Sequence, residues 1–332
     1  MPLETLPFAW YSGAETLHRE RETIFARAWQ YAGRADEVAQ PSSYLAVDAA
    51  GIPILVTRDR DGELRAFVNV CRHRGAVLAD GGGSRETIQC PYHAWTYGLD
   101  GRLRSAPRAD EVDTDGVALL PAGVDTWGPF LFVNPDPDAA PLREALGALP
   151  QLIDVDALRF HSRVQFELAA NWKISTENFL ECYHCPTAHP EFAAQVDVHP
   201  DRYELEEHPT FLAQFCTDRA TGERGQFHLV LPNTGINVFP GPPNLSIGPI
   251  APTGPERTAR FLDYFFAPHA DEEWITEFLA YDDQIGREDT ALVERVHRGV
   301  TSGMLERGRL LPRSERLIAA FQRYIAERVG ES

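Results

Sequence analysis

The sequence predicts an α+β protein in which a small all-β domain precedes a larger mixed domain. Three observations carry that prediction. Short runs of β-branched and aromatic residues, punctuated by Gly and Pro, crowd residues 38–135. A polar, Pro-rich stretch, "NPDPDAAP" at 134–141, reads as a linker. Beyond it, strand-like runs give way to long segments of helical periodicity. A length of 332 residues suffices for two buried cores, and 43% hydrophobic with 24% charged residues is a globular composition.

In chain order, residues 14–29 read as a helix with Leu17, Ile24, Phe25, Ala28 and Trp29 along one side. "YLAVD" (44–48), "IPILVT" (52–57) and "LRAFVNV" (64–70) are strands, with Asp61-Gly62 marking a hairpin turn between the last two. "TIQC", "WTYG" and "GPFLFVN" add further short strands. After the linker, "RFHSRVQFEL" (159–168) is a strand and "NWKISTENFLECYH" (171–184) a helix. Strands follow over 203–266, then helices over 272–300 and 314–328. No internal repeat and no low-complexity segment interrupts the pattern.

The formal charge of −18 argues against a nucleic-acid partner and is compatible with a cationic substrate or a basic protein partner. "MPLETLPFAW" lacks the basic and apolar regions of a secretory signal, and no apolar run reaches membrane-spanning length. Five cysteines are too few, and odd in number, for a disulfide framework, so the expectation is a reduced cytoplasmic protein.

Two clusters carry chemistry. In "CRHRGAVLADGGGSRETIQCPYHAW" (71–95) each cysteine is followed closely by its own histidine: Cys71 with His73, and Cys90 with His93. Zinc fingers usually segregate the two ligand types into separate pairs. Mixed pairs instead suit a two-iron cluster in which one iron takes two thiolates and the other two imidazoles, the donor set of a Rieske [2Fe–2S] centre. The glycines at 81–83 and Pro91 are read as supplying a tight backbone around it. In the second domain, a helix continuing to Cys185 places Glu177, Glu181 and His184 on one face, and Pro186 then turns His189 back beside His184. Two histidines and a carboxylate form the facial triad of non-haem Fe(II) oxygenases. The carboxylate is Glu181 or comes from the late helix. There Asp289 shares a face with Ile285, Leu292 and Val296, and Asp282 is its rival. Cys182 and Cys185 form a C-x-x-C without a thioredoxin-like surround, so both are read as helix-packing residues, and Cys216 as a buried thiol. His161, His199, His208, His228 and His297 lack any ligand-like spacing and are read as ordinary surface or core residues.

The two motifs together resemble the catalytic (alpha) subunits of Rieske non-haem iron oxygenases over nearly the whole chain. The resemblance implies an N-terminal helical segment, 1–37, packing on the catalytic domain, a Rieske domain, 38–135, and a catalytic domain of helix-grip (START/Bet v1-like) fold, 142–332. It implies that Cys71 and Cys90 bind one cluster iron and His73 and His93 the other. His184, His189 and Asp289 would hold a mononuclear Fe(II), with O2 as co-substrate. Glu181 would bridge the two metal sites between neighbouring subunits of a homotrimer. Ring-hydroxylating dioxygenases usually carry Asp at that position, and "ENFLECYHCPTAHP" is closer in wording to the carnitine and glycine-betaine oxygenase branch. The activity implied is a terminal oxygenase that hydroxylates or oxidatively demethylates a small aromatic or quaternary ammonium compound. A quaternary ammonium calls for an aromatic cage, for which Tyr203, Phe211, Phe215, Phe227 and Trp274 are available. No dinucleotide fingerprint is present, so NAD(P)H would act only through a separate flavin/iron–sulfur reductase, with or without a ferredoxin. The competing readings are a Rieske electron carrier fused to a non-catalytic ligand-binding domain, and a zinc-stabilised binding module.

Overall fold

A computed structural model describes residues 3–330 and divides the chain into two compact units, Phe25–Glu144 and Met1–Ile24 with Ala145–Ser332. The first is all-β. Its seven-stranded antiparallel sheet runs, in spatial order, Gln30–Arg34, Phe130–Asn134, Pro121–Trp127, Leu64–Val68, Ile52–Arg58, Ser43–Ala49 and Gly82–Ser84. A second sheet of three strands, Thr87–Gln89, Thr96–Gly98 and Leu103–Ser105, carries the second Cys–His loop at its first hairpin. The Ile52–Arg58 to Leu64–Val68 hairpin is closed by Asp59, whose Oδ1 accepts from the backbone N–H of Asp61 (3.0 Å) and Glu63 (2.9 Å), while Gly62 takes φ +84°.

Two local expectations change here. The N-terminal helix spans Ala14–Thr23, not 14–29. Gln30 Nε2 donates to the Phe25 carbonyl at 3.0 Å, and Gln30–Arg34 then pairs as a strand with Phe130–Asn134, so residues 30–34 belong to the β unit. The glycines at 81–83 do not shape the cluster loops: Gly82–Ser84 is an edge strand paired with Ser43–Leu45.

The second unit has the expected helix-grip pattern. A seven-stranded antiparallel sheet, ordered Arg159–Leu168, Arg257–Phe266, Asn244–Gly254, Thr234–Val238, Arg224–Val230, Phe211–Thr217 and Glu204–Glu207, packs against the long helix Glu272–Val300. That helix starts at Asp271, whose carboxylate caps the N–H groups of Glu273 and Trp274 (3.0 Å each). Ile275, Phe278, Val293 and His297 are its buried stripe, whereas Val296, assigned to the inner face from periodicity, is 51% exposed. Phe278 and Ile285 meet Phe239, Leu262 and Tyr264 of the sheet in one apolar cluster.

The N-terminal helix packs on this same unit through a buried polar network. Lys173 Nζ and Trp172 Nε1 donate to the two oxygens of Glu20 at 2.6 and 2.7 Å. Tyr11 and Gln322 donate to Glu177 Oε1 at 2.7 and 2.9 Å. Glu20 is paired with Lys173, and Glu177 is held by hydrogen bonds alone. Among the described residues no helix is long and apolar enough to cross a membrane.

Candidate functional site

In the β unit the two Cys–His loops are the same turn used twice. Cys71 N–H donates to Ala76 O (2.8 Å) and Gly75 N–H to Cys71 O (3.0 Å); Cys90 N–H donates to Trp95 O (2.8 Å) and Ala94 N–H to Cys90 O (3.1 Å). Both turns place their fifth residue in the left-handed region, Gly75 at φ +75° and Ala94 at +58°. Cys71 and Cys90 are buried unpaired thiols, while His73 and His93 are exposed with ring centroids 4.7 Å apart. Trp95 stacks on His73 at 5.0 Å, and the Tyr97 hydroxyl lies 3.4 Å from Cys71 Sγ. An inner thiolate pair and an outer imidazole pair fit an asymmetric [2Fe–2S] cluster, and the Tyr97 contact is the kind that tunes cluster potential.

In the second unit the helix over 172–179 is capped by Asn171, whose side chain accepts from Lys173 N–H at 3.0 Å. It ends at Phe179, not at Cys185, because Gln214 Nε2 from the neighbouring sheet takes the Phe179 carbonyl at 2.7 Å. The expected common face of Glu177, Glu181 and His184 therefore does not form. Glu177 turns to Tyr11 and Gln322. Glu181 organises the following turn, accepting from the backbone N–H of Tyr183 and of His184 (3.2 Å). Cys182 and Cys185, expected as reduced packing residues, are joined by a disulfide with Cα atoms 4.9 Å apart. The two cysteines do not share one helix: Cys182 lies in the loop after Phe179 and Cys185 opens the next short helix. Pro186 and Pro190 each open a short helix, Cys185–Ala188 and Pro190–Gln195, and His189 sits between them.

This path brings His184, His189 and Asp289 together. The two Nε2 atoms are 3.2 Å apart, and Asp289 Oδ1 is 3.0 Å from His189 Nε2 and 3.4 Å from that of His184. Such edges match neighbouring ligands on one face of an octahedral ion with bonds of about 2.1 Å, which stand about 3 Å apart. Behind the rings, Glu181 bonds His184 Nδ1, and Glu288 Oε2 bonds His189 Nδ1 at 2.7 Å. Carboxylates on both Nδ1 atoms hold the protons there and leave the Nε2 lone pairs converging. Electrostatics agree. Burial opposes charge on His184, yet its bonds to Asp289 and Glu181 raise it to about 10. Burial likewise opposes ionisation of Asp289, but the two imidazoles hold its carboxyl well below the usual carboxylate range. Positive charge is thus favoured where the three atoms meet, so the donor set fits a cation.

Asp282, the rival ligand, is outside this cluster. Its Oδ2 accepts from the Tyr264 hydroxyl at 2.6 Å, and burial pushes it up to about 6. Glu288 was not singled out in the sequence; its position beside Asp289 was the only signal. Asn178, also missed, donates to Asp289 Oδ1 at 3.1 Å.

The triad opens on a cavity of about 520 Å³. Of the aromatics considered for a cage, Tyr203 and Phe227 line it; Phe211, Phe215 and Trp274 do not. Phe192 and Phe239 join Phe227 instead, with ring centroids 5.2–6.4 Å apart. Phe166, Phe179 and Tyr264 complete the aromatic lining.

Comparison with known proteins agrees with both halves. Residues 28–119 match the Rieske [2Fe-2S] domain, and residues 155–221 and 198–331 match the ring hydroxylating alpha subunit (catalytic domain). The chain is 33% identical to the carnitine monooxygenase oxygenase subunit of Acinetobacter baumannii, covering 97% of this chain and 94% of that one. It is 30% identical to the chloroplastic choline monooxygenase of Spinacia oleracea, covering 97% and 78% respectively. A quaternary ammonium Rieske monooxygenase, described for carnitine oxidation by gut microbiota and inter-subunit electron transfer, superposes with a TM-score of 0.88 at 31% identity, over 99% of this chain and 96% of its own. The quaternary ammonium Rieske monooxygenase CntA has been crystallised with γ-butyrobetaine and with L-carnitine. Two domain matches across the chain and relatives above 30% identity over nearly its full length make it a terminal oxygenase subunit of the Rieske non-haem iron oxygenase family, with a Rieske cluster and a mononuclear iron as cofactors.

Proposed function

We propose that this oxygenase acts on a quaternary ammonium compound, with iron held by His184, His189 and Asp289 and the cluster by Cys71, His73, Cys90 and His93. The observation that carries the substrate class is the aromatic-walled cavity above the triad, because a cluster of ring faces attracts a desolvated ammonium that has no hydrogen to donate. Iron held by these residues would supply O2 activation, and the cluster would supply the electrons. The chain's own residues do the rest. Glu181 and Glu288 hold the Nδ1 protons of the two histidines and fix both rings. Phe192, Phe227 and Phe239 line the cavity and exclude water from it.

Glu181 is the bridging residue in this reading. It is bonded to His184, and its carboxylate would accept from His93 of a neighbouring subunit in a homotrimer. Electrons would come from a separate reductase. The exposure of His73 and His93 supports a cluster that exchanges electrons at its imidazole end.

The test is a substrate panel of quaternary ammonium and aromatic compounds with a surrogate reductase, following O2 uptake and oxygenated product together. The expected result is product from a trimethylammonium compound. Turnover confined to aromatic hydrocarbons would refute the substrate reading while leaving the family intact.

A further inference from the structure

The cavity wall carries an unusual cation. Along Arg257–Phe266 alternate residues share a face, and Arg260, Leu262 and Tyr264 all line the cavity. The Arg260 guanidinium lies over the Phe166 ring at 5.4 Å, its register partner on the edge strand. Its Nε is buried without a hydrogen-bond partner, and among the described residues nothing forms an ion pair or hydrogen bond with the guanidinium. The nearby carboxylates are otherwise engaged. Asp282 is bonded to Tyr264, and Asp289 faces His184, His189 and Asn178.

Arg260 is half-buried, and a guanidinium whose Nε is buried and whose donors have no acceptor in the protein is costly in a finished fold. Here the empty donors border a cavity, so the missing acceptor is something that enters it. The same wall holds Glu181, Asp282, Asp283 and Asp289. That negative surround disfavours a dianion such as a phosphate monoester. A single carboxylate matches both the charge and the planar donor fork of arginine.

We propose that Arg260 is a specificity-determining residue that binds a carboxylate of the substrate, which makes the substrate class zwitterionic: a quaternary ammonium that also carries a carboxylate. The ammonium half rests on the function proposed above; the carboxylate half rests on Arg260.

Calorimetric binding to the intact, iron-loaded protein under anaerobic conditions separates the two halves with four probes. These are γ-butyrobetaine, its primary amide, the carbon isostere 5,5-dimethylhexanoate, and the amide of that isostere. The expected result is that γ-butyrobetaine binds about 10–100-fold more tightly than its amide, the range of a hydrogen bond to a charged group. Arg260→Met and Arg260→Gln should reduce that ratio to near one, with the Rieske spectrum and mononuclear iron content unchanged in the variant used. Equal binding of acid and amide by the unmodified protein overturns the proposal, as does a ratio that survives in either folded variant. If the carbon isostere binds as well as γ-butyrobetaine, the ammonium reading fails. The role of Arg260 is then judged on the acid-to-amide ratio within the isostere pair. Failure of all four probes to bind overturns both.

Discussion

Glu288→Leu tests the proposed iron site at one remove from the metal position. Glu288 Oε2 lies 2.7 Å from His189 Nδ1, and Gln284 Nε2 donates to its Oε1 at 3.1 Å. Leucine keeps the bulk and the helix propensity but removes the acceptor that holds the Nδ1 proton. His189 is then free to exchange tautomers and turn a protonated Nε2 toward the metal position. A hydrogen bond to a charged group contributes about 1.5–3 kcal/mol, or roughly 10–100-fold in affinity. Loss of an outer partner at metal sites costs a similar 10–100-fold. The Glu288 side chain is 28% exposed, which places the expected loss in the lower part of that range, about 10–30-fold in Fe(II) affinity. Glu288→Gln should cost only a few-fold, because its carbonyl can still face His189 while Gln284 rotates its amide to accept from the new NH2. The assay is Fe(II) titration of the iron-depleted catalytic site against a competing chelator, with the visible spectrum of the cluster as an internal control for folding. An affinity within twofold of the starting protein for Glu288→Leu would refute the claim that this bond positions His189.

Three further outcomes are expected. Asp289→Ala should lose mononuclear iron and product formation with the cluster spectrum intact, while Asp282→Ala, which removes only the partner of Tyr264, should retain iron; the reverse pattern in metal analysis would overturn the ligand assignment. Glu181→Gln should keep both metal centres yet slow single-turnover electron transfer from the pre-reduced cluster, and an unchanged rate in iron-replete protein would remove Glu181 from the transfer route. Burial raises Glu177 from 4.5 to about 7, against the hydrogen bonds of Tyr11 and Gln322. A folded value above the unfolded one means Glu177's contribution to stability is fully present below about pH 4.5 and is lost as pH rises through 7, by up to about 3 kcal/mol. Glu177→Gln should flatten that slope in denaturation midpoints measured from pH 4.5 to 8, and identical slopes in the two proteins would show that Glu177 does not titrate there.

The sequence by itself determined the types and order of the residues proposed as donors. Cys71, His73, Cys90 and His93 are legible because each pair sits within one turn, and a turn is set by its own few residues. The strands of the β unit were legible for the same reason: alternation and turn chemistry act between near neighbours. Tertiary structure decided what depends on surfaces that meet from far along the chain. Gln214, from a strand 35 residues away, ends the helix at Phe179 and so frees the Glu181–His184 turn. Asp282 and Asp289 are seven residues apart and share a helix face, so periodicity cannot separate them. They part only because Tyr264 of the sheet meets one and the two histidines meet the other. Glu288 and Arg260 were illegible for a related reason. Their significance lies in a partner gained at His189, or a partner lacking at the cavity wall, and no local pattern encodes either.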